Sequence, residues 1–121
     1  MIRKASELTK VRREAFTNGV GGGYATHALP PGEKVPGSRF QMVSRIELDP
    51  GSTIGPHLHG ENEEIYCILS GEGIYIEDGT EVPAGPGDVF IALQGHTHGL
   101  KNTGPDPLVM IAVIAADRNP L

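Results

Sequence analysis

The sequence predicts an all-β domain, a sandwich or a barrel, from the spacing of its turn residues and of its apolar residues. Seventeen Gly and ten Pro in 121 residues fall at intervals between short apolar runs, as expected where tight turns join short strands. Several of these runs alternate with polar residues, which is the two-residue period of a strand. A chain of this length folds as one domain around a single core.

The first 39 residues are expected to form an N-terminal arm, followed by a barrel over residues 40–121. Residues 7–16 are interpreted as a short helix that the glycine cluster at 19–23 ends, and residues 24–29 as a short strand. Long structureless loops are uncommon within domains. The arm should therefore pack on the barrel or on a second subunit.

From residue 40 onward the pattern predicts strands, about eight in the whole chain. Apolar and polar residues alternate from Phe40 to Asp49, and Pro50-Gly51 then turns the chain. Asp78-Gly79 is a strong signal for a two-residue hairpin. The strands expected in this region cover residues 40–48, 64–69, 74–77, 89–93 and 108–115, with a short one that begins at Leu100 and one that carries the histidines described below.

Charge and composition exclude several classes of protein. The net charge is −5; residues 46–121 hold two Lys or Arg against twelve Asp or Glu, whereas residues 1–45 hold eight against three. An acidic main body argues against nucleic-acid binding, which depends on clustered Lys and Arg. A single cysteine excludes an internal disulfide. Because no apolar run has the length of a membrane span and no signal peptide is recognisable, a cytoplasmic location is expected.

The main clue to function lies in residues 51–102, which contain four of the five histidines. His57 and His59 are two residues apart and so face the same way on a strand. Glu64, five residues further on, reaches the same side if Gly60 and the polar residues after it form a bend; a straight strand would present Glu63 instead. His98 could close the site from a distant strand. Imidazoles and a carboxylate are typical ligands of a divalent cation.

The spacing of two motifs resembles that of the cupins. Residues 51–71 (GSTIGPHLHGENEEIYCILSG) are similar to the first cupin motif, and residues 87–102 (GDVFIALQGHTHGLKN) to the second, with Leu93 where proline is usual. The six residues between Glu64 and Gly71 select Glu64 over Glu63. The resemblance implies a small single-domain cupin: a double-stranded β-helix, or jelly roll, whose His57, His59, Glu64 and His98 bind one divalent ion, Mn, Fe, Zn or Ni.

Function is less well defined than fold, because cupins include enzymes of several classes and binding proteins. The leading hypothesis is a metal-dependent enzyme, of dioxygenase, decarboxylase or isomerase type, acting on a small oxygen-rich metabolite. The alternative is a binding or sensing module for a sugar or small organic acid. Candidate catalytic groups are His96, Glu63 and Tyr66; Glu61 is a further acid at the rim. His96 stands two residues before His98 and Tyr66 two residues after Glu64, so each is expected to share the face of that ligand. Tyr75 is expected to fill the barrel. For His96, Glu61 and Glu63 the competing interpretation is a solvated surface residue.

A homodimer is also predicted. The segments 64–69 and 108–115 are apolar on both faces, and only one face of each can line the barrel. The N-terminal arm could then add a strand to the sheet of the partner.

Overall fold

The chain folds into two antiparallel β-sheets, as seen in a computed structural model that describes residues 1–116. The end of the predicted barrel, residues 117–121, lies outside the described residues. Two short 3-10 helices, Ala5–Glu7 and Phe16–Asn18, lie in the arm. The strands are β1 (Lys10–Glu14), β2 (Gly22–Leu29), β3 (Phe40–Leu48), β4 (Thr53–Leu58), β5 (Asn62–Ser70), β6 (Gly73–Glu77), β7 (Thr80–Ala84), β8 (Val89–Ala92), β9 (Thr97–Asn102) and β10 (Leu108–Ala116).

The two sheets are a six-stranded one in the order β1-β2-β3-β10-β5-β8 and a four-stranded one in the order β4-β9-β6-β7. The chain crosses repeatedly from one sheet to the other, as in a jelly roll, so the all-β prediction is confirmed. Asp78 and Gly79 form the expected two-residue hairpin turn, with φ of 50° and 81°. Neither 3-10 helix within residues 1–116 is long and apolar enough to span a membrane.

The core lies between the two sheets and follows the predicted two-residue period. On β3 the side chains of Met42, Ser44, Ile46 and Leu48 are buried, whereas Arg45 is exposed. The smaller sheet contributes buried Leu100, among others, to the same core. The buried His98 borders this core, because its ring stacks on that of the core residue Tyr66.

The helix predicted over residues 7–16 is wrong. Its central part is strand β1, which pairs antiparallel with β2, and β2 pairs in turn with β3. Ion pairs fix β1 further, with Lys10 bound to Glu47 and Arg12 bound to Asp49. This segment lacks the apolar stripe that an amphipathic helix would bury, and pairing with a neighbouring strand decides its structure.

The arm packs on its own barrel, one of the two arrangements left open by the sequence. Phe16 is buried in the core, and the Thr17 hydroxyl donates a hydrogen bond of 2.8 Å to the Gly55 carbonyl on β4. Gly55 is required there, since a Cβ atom would lie 2.3 Å from the Thr17 carbonyl oxygen. The segment after β1 is therefore held directly against the strand that carries His57.

Two further differences concern the strand count. The described residues form ten strands rather than about eight, because β1 and β7 were not expected. The strand predicted to begin at Leu100 begins at Thr97. The earlier start matters for the site, since it places His98 inside β9 and His96 just outside it.

Candidate metal centre

Four side chains converge inside the barrel, three from strands and one from the turn that follows β4. His57 lies near the end of β4 and is the register partner of His98 on β9, so these two imidazoles are neighbours across the small sheet. His59 follows the end of β4, and the chain bends at Gly60 before β5 begins. The bend resets the alternation, as the sequence required, and Glu64 on β5 faces the histidines from the large sheet.

The ligand atoms of this group lie within 4.8 Å of one another. The Nε2 atom of His98 is 2.9 Å from that of His59 and 3.1 Å from that of His57. The Glu64 Oε1 atom lies 3.0 Å from His98 Nε2, 3.1 Å from His59 Nε2 and 3.6 Å from His57 Nε2. Donors at right angles around one ion, with bonds of about 2.1 Å, would be about 3 Å apart. These distances therefore fit a single ion with these four ligands.

Hydrogen bonds on the far side of each ring fix which nitrogen carries the proton. The Nδ1–H of His57 donates to the Gly55 carbonyl at 2.8 Å, and that of His59 donates to the Asn62 amide oxygen at 2.5 Å. Both partners are acceptors only. The neutral rings must therefore present unprotonated Nε2 atoms to the centre of the group.

His98 is oriented in the same way by a tyrosine. The Tyr75 hydroxyl donates to a Glu77 carboxylate oxygen at 2.9 Å, so its oxygen is free to accept from the Nδ1–H of His98 at 3.2 Å. Three Nε2 lone pairs and one carboxylate thus face each other at van der Waals distance in a buried site. Such an arrangement is repulsive without a cation and favourable with one. The chemistry of the residues fits a divalent ion.

In the metal-free protein, protons can take the place of the ion. Burial alone would raise the pKa of Glu64, but hydrogen bonds from the Nε2–H groups of His57, His59 and His98 in that state outweigh burial and hold the pKa well below its usual range. Burial lowers the pKa of His98, against the opposing effect of Glu64, and so favours the neutral ring that a metal requires. The hydrogen bond to Glu64 raises the pKa of His59 despite its burial.

A cavity of about 260 Å³ opens over the group. Most of its wall is apolar, from strands of the large sheet and from the arm. Its polar side chains are those of His57, His59, Glu64 and Tyr66 together with those of Arg13, Thr17 and His27 from the arm. Within residues 1–116, Glu64 is the only carboxylate in this wall.

Of the three catalytic candidates, Tyr66 is the one that lines the cavity. It is 2% exposed and stacks on the His98 ring with 4.6 Å between the ring centroids. Burial, with the adjacent Glu64 charge, raises the pKa of Tyr66 well above its ordinary value, so its hydroxyl remains protonated. The interior position expected from its alternation with Glu64 is therefore the observed one.

The other candidates lie away from the cavity. His96 is on the surface with its Nδ1 atom 2.6 Å from an Asp78 carboxylate oxygen. It precedes the first residue of β9, so the alternation that would align it with His98 does not apply. Glu63 is exposed because it faces opposite to Glu64 on β5, and Glu61 is exposed in the bend.

Sequence reasoning missed four residues around the centre: Asn62, Tyr75, Arg13 and His27. Tyr75 was expected only to fill the barrel; it also orients His98. Asn62 stands three residues after His59, a spacing that could have suggested a partner for its ring. No sequence signal linked Arg13 or His27 to the site, because both come from the arm, at positions fixed only by the pairing of β1 and β2.

Comparison with known proteins agrees with this geometry. Residues 44–114 match the family model described as Cupin_2, cupin domain. The chain belongs to the cupin family. The cupin is 35% identical over 114 residues to a protein of Thermotoga maritima named oxalate-binding protein, and the match covers 94% of this chain and 93% of that protein.

Solved structures and a plant relative extend the comparison. A crystal structure of a predicted oxalate decarboxylase from Thermotoga maritima is 34% identical and superposes with a TM-score of 0.84, over 96% of this chain and 99% of that one. A rice protein, germin-like protein 5-1, is 31% identical over 86 residues, which are 64% of this chain and 36% of the rice protein. The jelly-roll fold inferred from the motifs is confirmed, and the four predicted ligands form a group that can hold a metal ion.

Proposed function

We propose that this cupin uses one divalent ion, held by His57, His59, Glu64 and His98, to bind a small oxygen-rich acid, with oxalate as the first compound to test. The observation that carries the proposal is the convergence of four ligand atoms, three of them from residues that line a cavity of small-molecule size. The name of the Thermotoga maritima relative suggests oxalate.

The ligand set suits such binding. Four protein ligands leave two positions on a six-coordinate ion, which adjacent oxygens of one small acid could fill, and an open position distinguishes a working site from a structural one. When bound, the ion would supply Lewis acidity and a template for these oxygens. The chain's own groups do the rest: Asn62, Gly55 and Tyr75 orient the imidazoles, and the apolar wall excludes water from the ligand.

Binding without turnover is the function that the cavity supports best. General acid–base catalysis requires a group that can exchange a proton near the substrate. Within the described residues, the only carboxylate in the cavity wall is Glu64, which is assigned to the ion, and burial raises the pKa of Tyr66 so far above its ordinary value that its hydroxyl is a weak proton donor. Neither His96 nor Glu63 lies in that wall, so the chemistry expected of them has no support from the geometry.

Calorimetric titration of oxalate into the metal-loaded protein tests the proposal. Protein loaded with one equivalent of Mn²⁺ should bind oxalate, whereas metal-free protein and a Glu64→Gln variant should bind it far more weakly. Glu63→Gln is the matched control, because it makes the same change on the exposed face of β5. Metal-loaded parent protein that binds neither oxalate nor related hydroxy acids would contradict the proposal.

Metal-assisted turnover of the same acid is the second candidate, favoured by the protonated Tyr66 hydroxyl beside the group. Cleavage of the carbon–carbon bond of oxalate would give carbon dioxide and formate with uptake of one proton, which Tyr66 is placed to supply. Formate release by protein loaded with Mn, Fe, Ni or Zn would support this function and should fall sharply in Tyr66→Phe. Oxygen consumption and sugar-phosphate isomerisation belong in the same panel. Full recovery of oxalate in every case would exclude turnover and leave binding as the function.

We propose a homodimer from the outer face of the six-stranded sheet. Val89 and Ile91 on the edge strand β8 are 55% and 51% exposed. They stand opposite Cys67 and Ile65 on β5, so the apolar surface continues across strands. Light scattering at micromolar concentration should give twice the chain mass, and a monomer would contradict the proposal. Exchange of β1 between subunits stays a prediction, as does a cytoplasmic location.

A further inference from the structure

The arm places one cation at the cavity, and its surroundings differ from those of its neighbours on the same strand. On β1, Lys10 and Arg12 lie over the outer face of Tyr24 and bind the acidic residues Glu47 and Asp49. Arg13 is one position further and therefore faces the other way. Its register partner on β2 is Gly23, where a Cβ atom would lie 2.0 Å from the Glu47 carbonyl oxygen on β3.

Arg13 is held in place by an aromatic contact rather than by an ion pair. Its guanidinium carbon lies 5.4 Å from the ring centroid of Phe16, which is 6% exposed and part of the core. Stacking on an aromatic face orients a guanidinium without neutralising it. Within residues 1–116 no carboxylate forms a salt bridge with Arg13. Arg13 and Phe16 both line the cavity.

The backbone beside Arg13 is strained in a way that supports a functional position. Ala15, Thr17 and Asn18 have φ of 53°, 45° and 60°, left-handed values that residues other than glycine rarely adopt. Such strain persists where the surrounding structure enforces it, and it is concentrated at ligand sites. Here the strained turn directs Phe16 into the core and so presents its ring to Arg13.

The balance of charge in the cavity indicates which ligands this cation would favour. Burial, with a smaller contribution from the Arg13 charge, lowers the pKa of His27, so this other basic residue of the arm is neutral at neutral pH. A divalent ion on ionised Glu64 carries a net charge of about plus one. Arg13 brings the cavity to about plus two, which a doubly charged anion would neutralise.

We propose that Arg13 is a specificity-determining residue that binds the outward-facing carboxylate oxygens of a dianionic ligand at the cavity mouth while the metal group holds the ligand's inner oxygens. This inference rests on the proposed function, because it needs a metal-bound acid in the cavity. It narrows the ligand class from oxygen-rich metabolites to small dicarboxylates. Arginine suits the role, since its planar fork can donate two parallel hydrogen bonds to one carboxylate.

Calorimetry on Mn²⁺-loaded protein tests the proposal with oxalate as the dianion and glycolate as the monoanion. Arg13→Gln should weaken oxalate binding by about tenfold or more, the usual effect of losing a hydrogen bond to a charged group. Glycolate binding should change much less. Arg13→Lys, which keeps the charge and loses the fork, should recover part of the loss.

Arg12→Gln is the matched control, because it removes the same charge from the adjacent, outward-facing position. It should leave the affinity for oxalate within about twofold of the parent value, since exposed ion pairs contribute little. Mn²⁺ affinity should be unchanged in both Gln variants, and thermal unfolding should show that both are folded. A metal-independent role for Arg13 in folding would instead appear as a lower melting temperature with unchanged oxalate affinity.

Two failures can be told apart. If the parent protein binds oxalate and Arg13→Gln binds it equally well, or if Arg12→Gln weakens it as much, the role of Arg13 is refuted and the proposed function stands. If Mn²⁺-loaded parent protein binds neither acid, both the proposed function and the role of Arg13 are refuted.

Discussion

Replacement of Tyr75 by phenylalanine isolates the contact that orients His98. The variant keeps the ring, which stacks on Phe90 at 4.1 Å between the centroids, and removes only the hydroxyl. His98 then loses the acceptor of its Nδ1–H, and Glu77 loses a donor. Because Glu77 is only half-buried, water can replace the donor there, whereas the His98 side chain is 1% exposed and water cannot easily reach it.

The size of the effect follows from this burial. A buried N–H group left without an acceptor costs about 1–3 kcal/mol, so the metal-free variant should melt several degrees below the parent protein. Loss of a partner that orients a metal-bound imidazole typically lowers metal affinity by about 10–100-fold. Tyr75→Phe should therefore retain the fold and bind Mn²⁺ or Zn²⁺ about 10–100-fold more weakly.

Metal titration against a competing chromophoric chelator measures this affinity, and thermal unfolding in the presence of a chelator measures the stability of the metal-free protein. Tyr24→Phe is the control, since it removes a hydroxyl from the outer face of the large sheet and should change neither quantity. Metal affinity in Tyr75→Phe within about twofold of the parent value would refute the claim that Tyr75 sets the orientation of His98.

Three further predictions concern pH and packing. Metal affinity should fall as the pH is lowered, because protons compete with the metal for the imidazoles. Since Glu64 raises the pKa of His59 above its ordinary 6.5, this loss of affinity should begin above pH 6.5. Metal titrations that show equal affinity at about pH 6 and pH 8 would contradict the assignment of His59 as a ligand. Gly73→Ala should lower the free energy of unfolding by about 3 kcal/mol or more in denaturant titrations, because its Cβ would lie 2.1 Å from the Lys101 carbonyl oxygen. The control is Gly85→Ala, where a Cβ would meet no atom within 4 Å. Its free energy of unfolding should stay within about 0.5 kcal/mol of the parent value. Leu100→Ala, at a position with 0% exposure, should cost about 2–5 kcal/mol in the same assay, and a loss under about 1 kcal/mol would place Leu100 outside the core.

The grouping of the proposed ligands could be predicted from the sequence because local spacing determines most of it. His57 and His59 share a face through alternation, and the bend at Gly60 returns Glu64 to that face. Tyr66 followed from its alternation with Glu64. The pairing of β4 with β9 then places His98 beside His57, as the motifs implied.

The rest depends on pairing between segments that no local pattern specifies. The segment Lys10–Glu14 is a strand because β2 lies beside it and because Glu47 on β3 and Asp49 just after β3 bind its cations. Its sequence alone was interpreted as helix. The position of Arg13 at the cavity follows from that pairing. His96 shows the converse error: alternation was extended one residue beyond the start of β9, where the chain no longer follows the strand.

The metal content of the purified, untagged protein tests the central claim most directly. Elemental analysis should find about one equivalent of a divalent metal per chain in the parent protein, and the His57→Ala and His98→Ala variants should lose it while remaining folded. A parent protein that holds no metal, even after reconstitution with Mn, Fe, Ni or Zn, or variants that retain the full equivalent, would contradict the assignment of these residues as the metal centre.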